Sequence, residues 1–234
     1  MSDEPRFLAG FKGYLHVDGY AGYDSLPGVT LSGCWAHARR KFFEALNAIP
    51  PSERAAPTVA REGLVFCDKL FAIERGLHDL APTERHAGRL EKSRPAVDAF
   101  EAWLKFHTPR VLPKSPTGQA IQYCRNQWAK LTVFLRDGRL ELDNNRSERA
   151  IKPFVIGRKN WLFANTPRGA KASATIYSVI ETAKENGLNP FAYLTYLFER
   201  LPNVSVGDSA AIDALLPYSA SLPDFCRVVG KSIS

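Results

Sequence analysis

FKGYLHVD, residues 11–18, reads as a β-strand that stops at an acid. Tyr14, Leu15 and Val17 suit a pleated, half-buried strand, and Asp18-Gly19 is a turn signal that closes the run. A short polar and aromatic segment, YAGYDSLPG (20–28), leads to VTLSGCW (29–35), which reads as a second strand. Residues 36–49 then carry Ala38, Phe42, Ala45 and Leu46 at helical spacing, opposite Arg39, Arg40 and Lys41. Pro50-Pro51 stops that helix, because proline has no N–H for the ladder and clashes with the preceding turn. Two strands followed by a helix predict an α/β fold.

Further along, residues 55–135 show helical periodicity and no strand pattern. Leu64, Phe66, Leu70, Phe71 and Ile73 mark one helix. Ala96, Phe100, Trp103 and Leu104 mark a second, and Ile121, Tyr123, Trp128, Leu131 and Phe134 a third. A proline-rich linker at 108–116 separates the last two. The pattern changes at Asp137-Gly138, where a turn, a short strand and a short helix are expected. Residues 172–186 read as a helix closed by Gly187, and Asn189-Pro190 opens another with Phe191, Tyr193, Leu194, Leu197 and Phe198 on its apolar side.

Composition is that of a globular chain with enough apolar residues for a core: 45% hydrophobic and 24% charged over 234 residues. Thirty-one Lys and Arg against 24 Asp and Glu leave a formal charge of +7, which favours a polyanionic partner. No stretch approaches the roughly 20 apolar residues of a membrane span, and no basic leader precedes an apolar run. A cytoplasmic location is therefore expected. The four cysteines, Cys34, Cys67, Cys124 and Cys226, form no CxxC pair and read as free thiols of a reducing compartment.

Three constellations could carry chemistry. Asp18, at the C-terminal end of an apolar strand, is placed to hold a metal ion or substrate, or else simply closes a turn. Glu148, in DNNRSERAIKP (143–153), sits three residues after Asn145, the spacing of a capping box; it could equally face Asp18. Two converging carboxylates suit Mg²⁺, which takes few protein ligands and keeps sites for water and phosphate. Cys34-Trp35-Ala36-His37 is a CxxH without a partner pair for zinc, so it reads as a packed strand end with His37 opening a helix. Arg149, Lys152, Arg158, Lys159, Arg168 and Lys171 interleave with Phe154, Trp161 and Phe163. The cations are expected to neutralise phosphates, as are Arg39, Arg40 and Lys41, while the rings are expected in the core.

GYLHVDGYAGYDSL, GCWAHARRKFFEAL, PKSPTGQAIQYCRNQW, DGRLELDNNRSERAIKPFVIGRKNWLFANTPRGA and YSVIETAKENGLNPFAYLTYLFERLP, in this order, resemble the transposases of the IS66 family of insertion sequences. The likeness runs from about residue 7 to 216. It implies an RNase H-like catalytic core of the DDE type, with Mg²⁺ as cofactor. The second acid, in a DGYxxY context, would be Asp18, and the third, in a DNNxxER context, Glu148. Residues 7–54 would be the first part of the core, 55–135 a helical insertion, 136–186 the final part, 187–217 a C-terminal helical segment and 218–234 a tail. The family's first acid belongs to an earlier strand with no counterpart here, so the core would be incomplete. The chain is then expected to be an N-terminally truncated, inactive form whose partners are insertion-sequence ends and target DNA. A homo-oligomer is a further expectation. The rival expectation is a DNA-binding remnant that interferes with full-length transposase without catalysis.

Overall fold

The computed structural model describes residues 8, 10–52, 54, 56–160, 166–205 and 207–228, with the side chains of 158–160 set aside. The chain forms two units, Met1–Arg146 and Ser147–Ser234.

The first unit opens with β1 (Gly13–Val17) and β2 (Val29–Gly33), which pair in parallel from Gly13↔Val29 to Val17↔Gly33. Gly19, at φ +101°, turns the chain out of β1 in a conformation that favours glycine. Then come α1 (Trp35–Asn47), α2 (Val59–Leu77), α3 (Pro82–Gly88), a π-turn at Arg89–Ser93, α4 (Arg94–His107), α5 (Pro116–Asn126) and the single turn α6 (Trp128–Leu131). Local chemistry sets the starts. Thr58 accepts from Arg61 N at the head of α2, and Ser115 accepts from Gly118 N at the head of α5, ahead of Pro116.

One core joins the helices to the sheet end. Trp35, Phe42, Phe100, Phe134, Leu70, Leu104, Ile121 and Leu131 are fully buried in it, with Phe66, Trp103 and Trp128 packed against them. Burying each large apolar side chain contributes about 1.5–3 kcal/mol. Trp35 also satisfies its indole N–H on the Leu131 carbonyl at 2.8 Å. Gly63 lets α2 approach α1 closely: a Cβ there would lie 2.4 Å from the Phe42 ring.

The second unit takes most of α7 (Asn145–Asn160), then α8 (Pro167–Glu185), α9 (Pro190–Arg200) and α10 (Ser209–Ala214). Thr166, Asn189 and Asp208 cap the last three helices through their side chains. Gly187, at φ +68°, ends α8 as expected. Ala183, Leu188, Tyr193, Leu222 and Cys226 form a small core of their own.

The described chain is mostly helical with a two-stranded sheet, compatible with the α/β class. The helical reading of the middle holds. Two local expectations fail. No strand forms at 139–142; the backbone there runs through turns, because its carbonyls turn to Arg89 and Trp35 rather than to a neighbouring strand. The helix carrying Glu148 is not short, and Asn145 does not cap it. Asn145 is already helical, and Asp143 Oδ1 accepts from its backbone N–H at 2.9 Å. Among the described residues no helix is long and apolar enough to cross a membrane.

Candidate nucleic-acid and metal site

The two parallel strands bring their C-terminal ends to one edge of the first unit. Val17 pairs with Gly33, so the next residues, Asp18 and Cys34, follow from neighbouring strand ends. Asp18 is exposed, and its Oδ1 accepts from Tyr20 N at 3.3 Å, an Asx-type turn. The turn anticipated from Asp18-Gly19 is thus formed, and it holds the carboxylate at the strand end.

Helices α5 and α6 brace the segment that follows. Tyr123 donates its hydroxyl to the Asp18 carbonyl at 3.3 Å. Lys130 Nζ pairs with Asp24 Oδ1 at 2.6 Å. The Gln127 carboxamide lies where a Cβ on Gly19 would touch it at 3.4 Å. Tyr123 is pushed up to about 12 by burial, chiefly, so its hydroxyl stays a donor across the physiological range.

The acidic segment reaches the same strand ends from the other side of the sequence. Trp35 N donates to Leu142 O at 3.1 Å, and Asn144 N donates to Cys34 Sγ at 3.3 Å. Both Asp143 oxygens are taken by Asn145, one by its backbone N–H and the other by its side-chain amide at 2.7 Å. Upstream, the buried guanidinium of Arg89 donates to the carbonyls of Phe134, Asp137 and Leu140 and to the Glu74 carboxylate. His16 is pushed below its ordinary pKa by burial, against the opposing pull of Glu141 and Asp143. The Cys34 thiol is pushed up by burial, partly offset by the N–H groups of Asn144, His37 and Ala36.

The remaining candidates distribute as follows. Glu148 is half-buried in the first turn of α7 and belongs to the second unit, whereas Asp18 belongs to the first. Arg149, Lys152, Arg168 and Lys171 are exposed on the second unit and have no ion-pair partner among the described residues. Arg39 is committed: its Nε meets Asp68 Oδ1 at 2.5 Å. Arg40 and Lys41 are exposed without such a partner among the described residues. The side chains of Arg158 and Lys159, together with Trp161 and Phe163, lie outside the described residues. Phe154 is half-buried and faces Tyr177 at 5.4 Å between ring centroids. Cys34 is buried in the strand end, and among the described residues no group of three or more His, Cys, Asp or Glu could hold a metal. Four residues escaped the sequence reading: Arg75, Arg89, Tyr123 as a hydroxyl donor, and Lys130. Only Tyr123 carried a signal, as an aromatic on an apolar helix face.

Residues 4–172 match the family model described as Transposase IS66 family, and residues 178–218 match the IS66 C-terminal element. The chain belongs to the IS66 transposase family. Within curated sequences, this IS66 family chain is 36% identical to the uncharacterized protein y4hP of Sinorhizobium fredii over 209 residues, covering 84% of the chain and 38% of that protein. It is 37% identical to y4qI of the same organism, covering 92% of the chain and 40% of that protein. For y4jD, also of that organism, the figures are 31%, 92% and 42%. The IS66 family chain thus spans about two fifths of the length of these relatives. No solved structure matches it.

Proposed function

We propose that Asp18 and Glu148 are two members of a DDE carboxylate set for DNA strand cleavage and transfer at the ends of an IS66-like insertion sequence. The observation that supports this is the docking of the 142–144 backbone on Cys34 and Trp35, one and two residues past the strand pair that leads into Asp18. A parallel strand end is where α/β folds gather their ligands, and here it collects an exposed carboxylate and the DNN segment. The donor chemistry fits magnesium. Asp18 offers a hard, exposed oxygen ligand whose only described hydrogen bond is to a backbone N–H. Asp18 and Glu148 would hold the ion, which when bound would supply Lewis acidity and an activated water.

On this reading, residues 7–54 and 136–186 are parts of an RNase H-like core around the 55–135 insertion, with 187–217 a C-terminal helical segment and 218–234 a tail. Arg40, Lys41, Arg149, Lys152, Arg158, Lys159, Arg168 and Lys171 carry DNA backbone phosphates, and Arg39 contributes from its pair with Asp68. The protein works as a homo-oligomer in the cytoplasm. The chain alone, holding two of the three acids, binds DNA but does not join strands. A second reading, a DNA-binding protein without catalysis, is favoured by the commitment of Asp18 Oδ1 to the turn at Tyr20.

The test uses the 234-residue chain with insertion-end DNA and Mg²⁺, beside a full-length relative. The chain is expected to bind DNA with affinity that falls steeply with salt. In the full-length relative, alanine at the counterparts of Asp18 and Glu148 is expected to abolish cleavage and leave binding intact. Cleavage that survives both changes would refute the catalytic assignment. A nick made by the chain itself and lost in Asp18→Ala would show that two carboxylates suffice.

A further inference from the structure

We infer that the cleft between α1 and α2 is a subsite for one unpaired nucleotide, with its phosphate on Arg40 and Arg75 and its base laid on Phe43; this rests on the nucleic-acid reading above. The cleft measures about 410 Å³ and is lined by Arg39, Arg40 and Phe43 of α1, Asp68 and Arg75 of α2, and Asn145. That volume lies in the range of small-ligand sites.

Charge points to an anion. Three guanidinium groups line the cleft against one carboxylate, and Asp68 is already spent on Arg39. Arg40 and Arg75 are exposed and have no ion-pair partner among the described residues. Two like charges lining one concavity repel each other, and an anion between them reverses the sign of that energy. A phosphodiester matches the planar fork of each guanidinium.

The ring decides between nucleic-acid forms. Phe43 is 47% exposed, although Phe42 beside it is fully buried. An exposed ring in a cationic wall is a stacking surface that any base can use, provided the base is not already stacked in a duplex. Asn145 ties the cleft to the site, since its amide is fixed on Asp143 in the segment that docks on Cys34 and Trp35. A strand with one base resting on Phe43 would therefore run past the DNN segment.

The test measures binding of a fluorescent oligodeoxythymidylate and of a blunt duplex of equal length to the whole chain, across a salt series. Phe43→Ala is expected to weaken single-strand binding about tenfold and duplex binding less than about twofold. Arg40→Ala and Arg75→Ala are each expected to flatten the single-strand salt slope by about 0.7. Arg75→Lys should restore most of that slope, which a folding defect would not, and thermal melts of all variants should match the wild type. If the wild type binds but these variants bind both probes as it does, while Arg149→Ala weakens binding, the cleft is refuted and the nucleic-acid reading stands. Equal losses on both probes would refute the unpaired-nucleotide assignment. A wild type that binds neither probe would refute both readings.

Discussion

Tyr123 donates its hydroxyl to the backbone carbonyl of Asp18 at 3.3 Å, so a helix of the middle region reaches back 105 positions to hold the strand end where the candidate carboxylate begins. The contact acts on the backbone, leaving the Asp18 side chain to the turn and to solvent. Tyr123→Phe keeps the ring and removes only the donor. Its expected cost is about 1 kcal/mol of stability, the usual net worth of one hydrogen bond. Hydrogen exchange at 18–24 should accelerate more than in α4, and uniform exchange across the unit would contradict the bracing role.

Arg89 is fully buried and ion-paired with Glu74, and it also holds three carbonyls of the segment leading to the DNN motif. Arg89→Met is expected to cost about 3–5 kcal/mol, because it strands Glu74 and three buried acceptors. The double variant with Glu74→Leu should recover part of that loss. Denaturant melts of the two variants give the comparison, and equal stability would mean the carbonyls, not the charge, dominate.

All four cysteines are buried. Burial pushes the Cys67 thiol up to about 12 and raises those of Cys34, Cys124 and Cys226. At pH 8 the folded chain should show no fast-reacting thiol, and four should react once it unfolds. The native state keeps protons that the unfolded chain gives up near pH 9. Stability should therefore fall as pH rises from about 9 toward 12. A thiol titration with and without denaturant checks the first expectation, and alkaline melts check the second.

Arg139 holds the Asp137 carboxyl down to about 2 through hydrogen bonds from its guanidinium and backbone N–H. A lowered carboxylate adds stability above its ordinary pKa of 3.8, and that share disappears as pH falls toward about 2. Asp137→Asn should flatten the acid limb of the stability curve in this window and leave DNA binding at pH 7 unchanged. An unchanged acid limb would refute the assignment.

Much of this was readable in residue patterns. The helices that carry Leu64, Phe100 and Ile121 follow from apolar spacing and the start at Asn189 from residue type, whereas α3 and the caps at Thr58 and Ser115 emerge only in the structure. The parallel pairing of two short runs near Asp18 was legible only as two strands. The error at 139–142 is instructive. Leu140 and Leu142 do alternate with more exposed neighbours and both are buried, which is the strand signature. Their carbonyls, however, are taken by an arginine and a helix N-terminus. Side-chain periodicity reports burial, and it is silent about which donor meets the backbone. Arg89 was invisible for the same reason: nothing in GRLEKS separates a solvated arginine from one that ties a loop together.

Parallel neighbours ordinarily need a crossover of about a dozen residues or more. Residues 18–28 make the return from β1 to β2 in a span just short of that minimum. The loop has almost no slack, so it acts as a tether of fixed length. Deleting one residue from it would not trim a flexible surface feature; it would drag β2 along β1 by one register position and turn every side chain of the strand to the opposite side.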